Sequence, residues 1–315
     1  MRRQIVTIIG ILLLAGVVIG PLAYASATVG ETPPHSSTDA NAGVTTVKAA
    51  ASPLGLTGNA TGVQAQQPGY GYVAIGDSIA AGAGLPALAG ATGEDELCDR
   101  SSQAYPYRIA EQLQVPITHA ACSGAKVDEG IYGQQTIANT KIPRQLDVAF
   151  SQGKPELMTV TVGANDVRWT QFVRQCYVTR CGFAVDDARM KLYRADLRVE
   201  LTRMLAEIQI KSQGGPPQVY LSGYYSPVAS TECISGDRIT AAEVDWINRQ
   251  TVNLNQAIRS VVPLFSFTHY VPVDFTNHEI CAADPWVQNM EAEAPIHPTA
   301  NGQTAIAEAF LQVMR

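Results

Sequence analysis

The chain has 315 residues, of which 46% are hydrophobic and 16% charged, so it carries enough apolar side chain for a sizeable core and is not globally disordered. Its 22 basic residues against 28 acidic ones give a net charge of −6, which lacks the cationic footprint of a nucleic-acid binder. No repeat of 20–50 residues is visible, which excludes a solenoid or a propeller.

Residues 1–27 read as an export signal. Arg2 and Arg3 supply the positive start, Ile5 to Ile19 is almost wholly apolar, and Ala25-Ser26-Ala27 offers the small residues a signal peptidase needs. An uncleaved membrane anchor, tethering the protein to the cell envelope, is the alternative, because the apolar run is long for a signal. Residues 28–68 are rich in Ala, Thr, Gly, Ser and Pro, contain no aromatic residue and carry only Glu31, Asp39 and Lys48 as charges. Such a segment cannot bury enough apolar surface to offset its ordering entropy, and it is expected to be a disordered linker. The folded domain is expected over residues 69–315.

Within that domain, short apolar runs closed by Gly, Asn, Asp or Ser read as buried parallel strands: Gly71 to Asp77, Val115 to Cys122, Leu157 to Val162, Val219 to Ser222 and Tyr270 to Asp274. Helical spacing lies between them. A short helix is predicted near Tyr105 to Leu113. Met190, Tyr193, Leu197, Leu201, Met204 and Ile208 form one apolar face, with Asp186 or Asp187 to cap its start and Gly214 to close its end. Val244, Ile247, Thr251, Leu254, Ile258 and Val261 repeat the pattern, and a last helix is predicted from about Ala300 to Val313 with Ile306 and Phe310 inward. Strands alternating with helices imply βαβ units and a parallel sheet with helices on both faces. Ligands of such sheets sit beyond the carboxyl ends of the strands.

Candidate residues fall at those ends. Ser78 follows the first strand, Gly124 the second and Asn165 the third, while His297 precedes the last helix. Acyl transfer needs these parts: a hydroxyl nucleophile, an imidazole to take its proton, and donors aimed at the developing oxyanion. The N–H groups of Ser78 and Gly124 and the amide of Asn165 would be the donors. The six cysteines, Cys98, Cys122, Cys176, Cys181, Cys233 and Cys281, suggest three disulfides in an exported chain, with fifteen connectivities open. No Cys/His spacing suits zinc, so no metal is expected.

Gly76-Asp77-Ser78-Ile79-Ala80-Ala81-Gly82, Gly124, Gly163-Ala164-Asn165-Asp166 and His297-Pro298 occur in the order of four family blocks. Through them the chain resembles the SGNH, or GDSL-type, hydrolases over about Tyr72 to Val313. Its cysteine layout looks like that of secreted actinobacterial lipases and esterases with three disulfides. The resemblance implies a flavodoxin-like three-layer α/β/α sandwich with a five-stranded parallel sheet, and neither cofactor nor metal. It suggests the pairs Cys98–Cys122, Cys176–Cys181 and Cys233–Cys281. Asp77 and Asp166 read as residues that steady loops. His35 reads as solvated in the linker, His119 and His269 as packing residues, and His278 as a surface-loop residue. The acidic loop from Leu85 to Ser102, with Glu94, Asp95, Glu96 and Asp99, reads as solvated or as a substrate lid.

Many family members carry an Asp three residues before the His, where this chain has Ala294. A Ser78–His297 dyad is therefore expected, the imidazole oriented by the backbone carbonyl of Ala294, with Glu291, Glu293 or a distant Asp as alternatives. The function expected is that of a secreted serine carboxylic-ester hydrolase, a lipase or esterase, acting as a monomer on a small-molecule or lipid ester. A carbohydrate O-acetyl esterase and a non-catalytic binding domain are the rivals.

Overall fold

The computed structural model describes residues 70–213, 215–229 and 238–315. The segments expected to be an export signal and a linker, both within residues 1–69, lie outside them, as do Gly214 and Cys233. The described residues form seven strands: β1 (Tyr70–Gly76), β2 (Ile117–His119), β3 (Gln135–Ile137), β4 (Thr140–Ile142), β5 (Pro155–Thr161), β6 (Gln218–Ser222) and β7 (Thr268–Val271). Eight helices accompany them: α1 (Ser78–Ala81), α2 (Gly93–Leu97), α3 (Tyr105–Leu113), α4 (Gln145–Ala149), α5 (Trp169–Val178), α6 (Ala184–Lys211), α7 (Ala241–Arg259) and α8 (Ala300–Met314). Five strands make one parallel sheet in the order β2-β1-β5-β6-β7, and β3 pairs with β4 as a small antiparallel hairpin.

The sheet strands are continuous apolar runs because both faces are covered. Tyr72, Val73, Ala74 and Ile75 of β1 are all fully buried. The few polar side chains inside are paired: Tyr72 with Thr159 at 2.7 Å, Tyr105 with Thr161 at 2.9 Å, and Thr161 with Ser222 at 2.7 Å. α3 packs on α8 and α6 packs on α7. From β1 the chain runs one way through α3 to β2, then crosses back to β5 and continues outward to β6 and β7. Right-handed crossovers in opposite directions put helices on opposite faces, which gives three layers and a topological switch point between β1 and β5.

Most predicted boundaries move by a few residues, β2 shortening to Ile117–His119, and three of the shifts have a visible cause. β7 ends at Val271 because Pro272 has no N–H to continue the ladder. α6 starts at Ala184, not at an aspartate cap; Phe183 is the N-cap, and Asp186 reaches back from the first turn to its N–H at 3.1 Å. α6 ends at Lys211, before Gly214, with the Ser212 hydroxyl on the Ile208 carbonyl at 2.6 Å. Ile306 and Phe310 of α8 point inward as expected, 1% and 0% exposed.

Candidate active site

Ser78 stands on a rigid turn. Gly76, the last residue of β1, is held on both sides by the buried Gln145 side chain, which accepts from its N–H at 2.7 Å and donates to its carbonyl at 2.9 Å. A side chain at Gly76, where φ is 149°, would meet the Thr161 carbonyl oxygen, so only glycine lets β1 and β5 end this closely together. Asp77 caps α1, its Oδ1 accepting from the Ile79 N–H at 3.0 Å and its Oδ2 from the Tyr224 hydroxyl at 2.6 Å. Burial pushes the Asp77 carboxyl up to about 7, against the pull of those two hydrogen bonds. Ser78 then opens α1, where its own N–H has no acceptor within the helix.

The second donor turn is tied to the first. Cys98 and Cys122 form a disulfide with Cα atoms 4.2 Å apart, the Cys122 N–H donates to the Gly76 carbonyl at 3.0 Å, and the Ser123 N–H donates to the Cys98 carbonyl at 3.1 Å. Gly124 follows at φ 78°, a left-handed conformation that glycine adopts without cost. The turn after β5 clamps this segment from the other side. Asn165 Nδ2 donates to the Ala125 carbonyl at 3.0 Å, and Asp166 Oδ1 accepts from the Val127 N–H at 3.0 Å. One of the two amide protons of Asn165 is thereby used and the other is left for a ligand. Burial raises the Asp166 carboxyl to about 6. Asp77 and Asp166 thus both bond loops.

His297 completes the group. Its Nε2 lies 2.8 Å from Ser78 Oγ, and its Nδ1 lies 3.0 Å from a backbone carbonyl. A carbonyl only accepts, so the proton sits on Nδ1 and Nε2 is free to accept from the serine hydroxyl. That carbonyl belongs to Pro295, which corrects the expectation for Ala294. The Ala294 carbonyl instead accepts the backbone N–H of His297 at 3.2 Å, closing a four-residue turn with Pro295 second and Ile296 third. Proline at the second place and positive φ at the third are the marks of a type II turn. Closing it takes up the Ala294 oxygen and brings the Pro295 oxygen to the ring. Ile296 sits at φ 63°, a costly conformation for a β-branched residue. It is held there by burial, by its own N–H on the Gln288 carbonyl at 3.0 Å, and by the Tyr225 hydroxyl, which donates to its carbonyl at 2.7 Å. Burial lowers the His297 pKa below the ordinary imidazole value, and the hydrogen bond to the Pro295 carbonyl opposes that. No carboxylate bonds this ring among the described residues: Glu291 accepts from the Tyr177 hydroxyl at 3.4 Å, and Glu293 lines the cleft.

Ser78, Gly124, Asn165 and His297 border one cleft of about 750 Å³, whose far wall is α5 and whose near rim is the segment from Met290 to Ile296. The remaining histidines are elsewhere. His119 is half-buried with its Nε2 2.9 Å from the Ala80 carbonyl; desolvation and the nearby Arg100 charge lower its pKa to about 4, against that hydrogen bond. His269 stacks on Tyr220 and pairs with Gln218 at 2.8 Å, and His278 stacks on Trp286. His35 lies outside the described residues. The acidic loop is more ordered than a solvated reading implies: Glu94 and Asp95 each pair at 2.9 Å with the buried Arg100, which also donates to the Ala121 carbonyl at 2.8 Å. Asp99 from this loop lines the cleft. Cys176 and Cys181 form the second disulfide, and the pairing expected for Cys233 lies outside the described residues. Among the described residues no group of three or more His, Cys, Asp or Glu could hold a metal ion.

Reading the sequence alone missed the residues that hold the site, Gln145, Tyr224, Tyr225 and Gln288, and the helix that walls it, α5. Tyr224-Tyr225, directly after the carboxyl end of β6, carried a positional signal. α5 carried none, since Arg168 at its N-cap makes no side-chain cap.

A parallel five-stranded sheet with a Ser–His pair at its switch point defines the class of three-layer α/β/α hydrolases. Within that class the chain belongs to the GDSL-like lipase/acylhydrolase family, whose profile matches residues 74–305, and is an ester hydrolase. It is 28% identical over 243 residues to a lipase of Streptomyces rimosus, covering 74% of this chain and 82% of that protein. It is 28% identical over 265 residues to Lipase 1 of Streptomyces coelicolor, covering 79% and 88%. Its fold is shared with the extracellular lipase of Streptomyces rimosus, at a TM-score of 0.61 and 24% identity over 77% of this chain and 99% of that one. The phospholipase A1 of Streptomyces albidoflavus superposes at 0.60, also 24% identical, over 78% and 100%.

Proposed function

We propose that the protein is an exported lipase or esterase working through a Ser78–His297 dyad. The observation that carries this is the 2.8 Å contact between Ser78 Oγ and His297 Nε2, with the other ring nitrogen fixed on a carbonyl. His297 takes the hydroxyl proton as Ser78 attacks the ester carbonyl carbon. The N–H groups of Ser78 and Gly124 and the free amide proton of Asn165 receive the oxyanion. His297 then protonates the leaving alcohol, and the acyl-enzyme is hydrolysed by a water that His297 deprotonates. The Pro295 carbonyl orients the ring but gives the imidazolium less support than a carboxylate would.

A lipid ester is the substrate class we favour. Val173, Tyr177, Val178 and Met290 give the cleft an apolar wall, and the relatives above are named lipases and a phospholipase. Export fits the two disulfides, with residues 1–27 as the signal and 28–68 as a spacer. No helix among the described residues is long and apolar enough to cross a membrane. The test is a p-nitrophenyl ester series from acetyl to palmitoyl, run beside Ser78→Ala. Hydrolysis extending to long chains and lost in the variant is expected. Activity confined to acetyl would favour an O-acetyl esterase, and a fully active Ser78→Ala would refute the dyad.

A further inference from the structure

α5 separates two depressions. On one side is the catalytic cleft; on the other is a groove of about 340 Å³ between α5 and α6, lined by Arg168, Gln171, Phe172, Gln175, Arg189 and Tyr193. Gln171 lines both, so the two are contiguous. The charged lining of the groove is two arginines and no carboxylate. Arg168 lies over the Tyr193 ring, 5.2 Å from its centroid, and neither arginine has an ion pair among the described residues. The acids at the start of α6 are engaged elsewhere: Asp186 accepts from the Phe183 N–H, and Asp187 accepts from Trp246 and Gln250, both at 2.8 Å.

Exposed apolar side chains stand on the same two helices and on the segment that joins them, Val178 also lining the cleft. Val178 is 67% exposed, Phe183 55%, Val185 52% and Leu192 65%. Val185, Arg189 and Leu192 stand four and three residues apart on one helical face of α6, opposite the buried face of Met190, Leu197 and Leu201. The exposed Asp196, one turn beyond Leu192, bounds this patch. The Cys176–Cys181 disulfide ties α5 to the start of α6, so cleft wall and patch form one piece. Cations set among exposed apolar side chains suit a surface that is itself apolar beneath an anionic layer. A free anion would make no use of the valines, leucine and phenylalanine.

We propose that the α5–α6 face docks on a lipid surface, with the groove of Arg168 and Arg189 receiving the phosphodiester of an anionic phospholipid. Docking there would set the catalytic cleft against the layer that holds the ester. This rests on the lipid-ester reading above, but binding is measured apart from catalysis. The probe is the full chain carrying Ser78→Ala, cosedimented with vesicles of phosphatidylcholine and with vesicles of phosphatidylcholine and phosphatidylglycerol in equal parts. Any contribution of residues 1–69 enters every variant alike, so the ratio of the two partition coefficients is the readout. A clear preference for the anionic vesicles is expected, weakened by salt. Adding Arg168→Gln and Arg189→Gln should cut binding to those vesicles about tenfold or more. In a chain with Ser78 intact, the same two changes should leave hydrolysis of p-nitrophenyl acetate unaltered. Val178→Ser with Leu192→Ser should weaken binding to both kinds of vesicle. Equal partition with and without the arginines would overturn the proposal. So would saturable titration of inorganic phosphate that the arginine changes abolish without altering the vesicle ratio, which would mark a small-anion site. Absence of ester hydrolysis by the native chain would instead count against the catalytic reading alone.

Discussion

The two halves of the active site are held in different ways. Ser78 stands where a strand becomes a helix at the switch point of the sheet, and its neighbours are fixed by the buried side chains of Gln145 and Tyr224. His297 stands at the end of residues 272–299, which contain neither helix nor strand. Its ring is aimed by a turn whose third residue, Ile296, is in a costly conformation, steadied by the hydroxyl of Tyr225 and the backbone of Gln288. The nucleophile is thus placed by regular structure, and the base by a local balance in which few contacts offset strain. Perturbation should therefore reach the base half first and by smaller steps.

The largest effect belongs to the nucleophile itself: Ser78→Ala should abolish ester turnover while leaving the unfolding midpoint unchanged, as followed by p-nitrophenyl ester assay and urea titration. Asn165→Ala should lower kcat by about 10²–10³-fold, the usual consequence of removing one oxyanion donor. Tyr225→Phe tests the base half. It leaves a buried carbonyl without its donor and releases the Ile296 turn, and should lower kcat about tenfold with little change in KM. Because burial holds the His297 pKa low, and the base must be deprotonated to act, the rate should rise with pH and level off below the ordinary imidazole range. Tyr225→Phe should move that rise to higher pH by letting water reach the ring. A Tyr225→Phe enzyme with a normal profile would show that the turn holds itself.

Asp166 offers a smaller test through stability. Its carboxyl is raised from 3.8 to about 6, so it binds a proton in the fold that it has lost in the unfolded chain. Its contribution is therefore present below its unfolded pKa and is lost as pH rises through about 6. The stability difference between wild type and Asp166→Asn should shrink over that range in urea titrations, and a difference that grows would reverse the assignment. The smallest effects are expected at Glu291→Gln and Glu293→Gln, each within a few-fold of wild type in kcat. A fall of about 10⁴-fold in either would make that glutamate the third triad member.

Much of this was legible because strand ends and glycine turns have local signatures. The runs that became β1, β5 and β6, and the blocks around Ser78, Gly124, Asn165 and His297, all read directly. What did not read is what bridges distant segments. Nothing around Gln145 says that its amide will clasp Gly76, 69 residues away. Nothing in Ala294-Pro295-Ile296 says which carbonyl meets the ring, because turn closure decides it. The sequence expectation named the carbonyl of Ala294, one residue before the carbonyl that lies against the ring.

The most direct test of the dyad is covalent. The native chain would be treated with a fluorophosphonate and digested, and the adduct located by mass spectrometry, beside Ser78→Ala and His297→Ala. The expected result is a stoichiometric adduct on Ser78, absent from Ser78→Ala and formed far more slowly in His297→Ala. An adduct on another residue, or labelling of His297→Ala at the native rate, would contradict the assignment of Ser78 as nucleophile and His297 as its base.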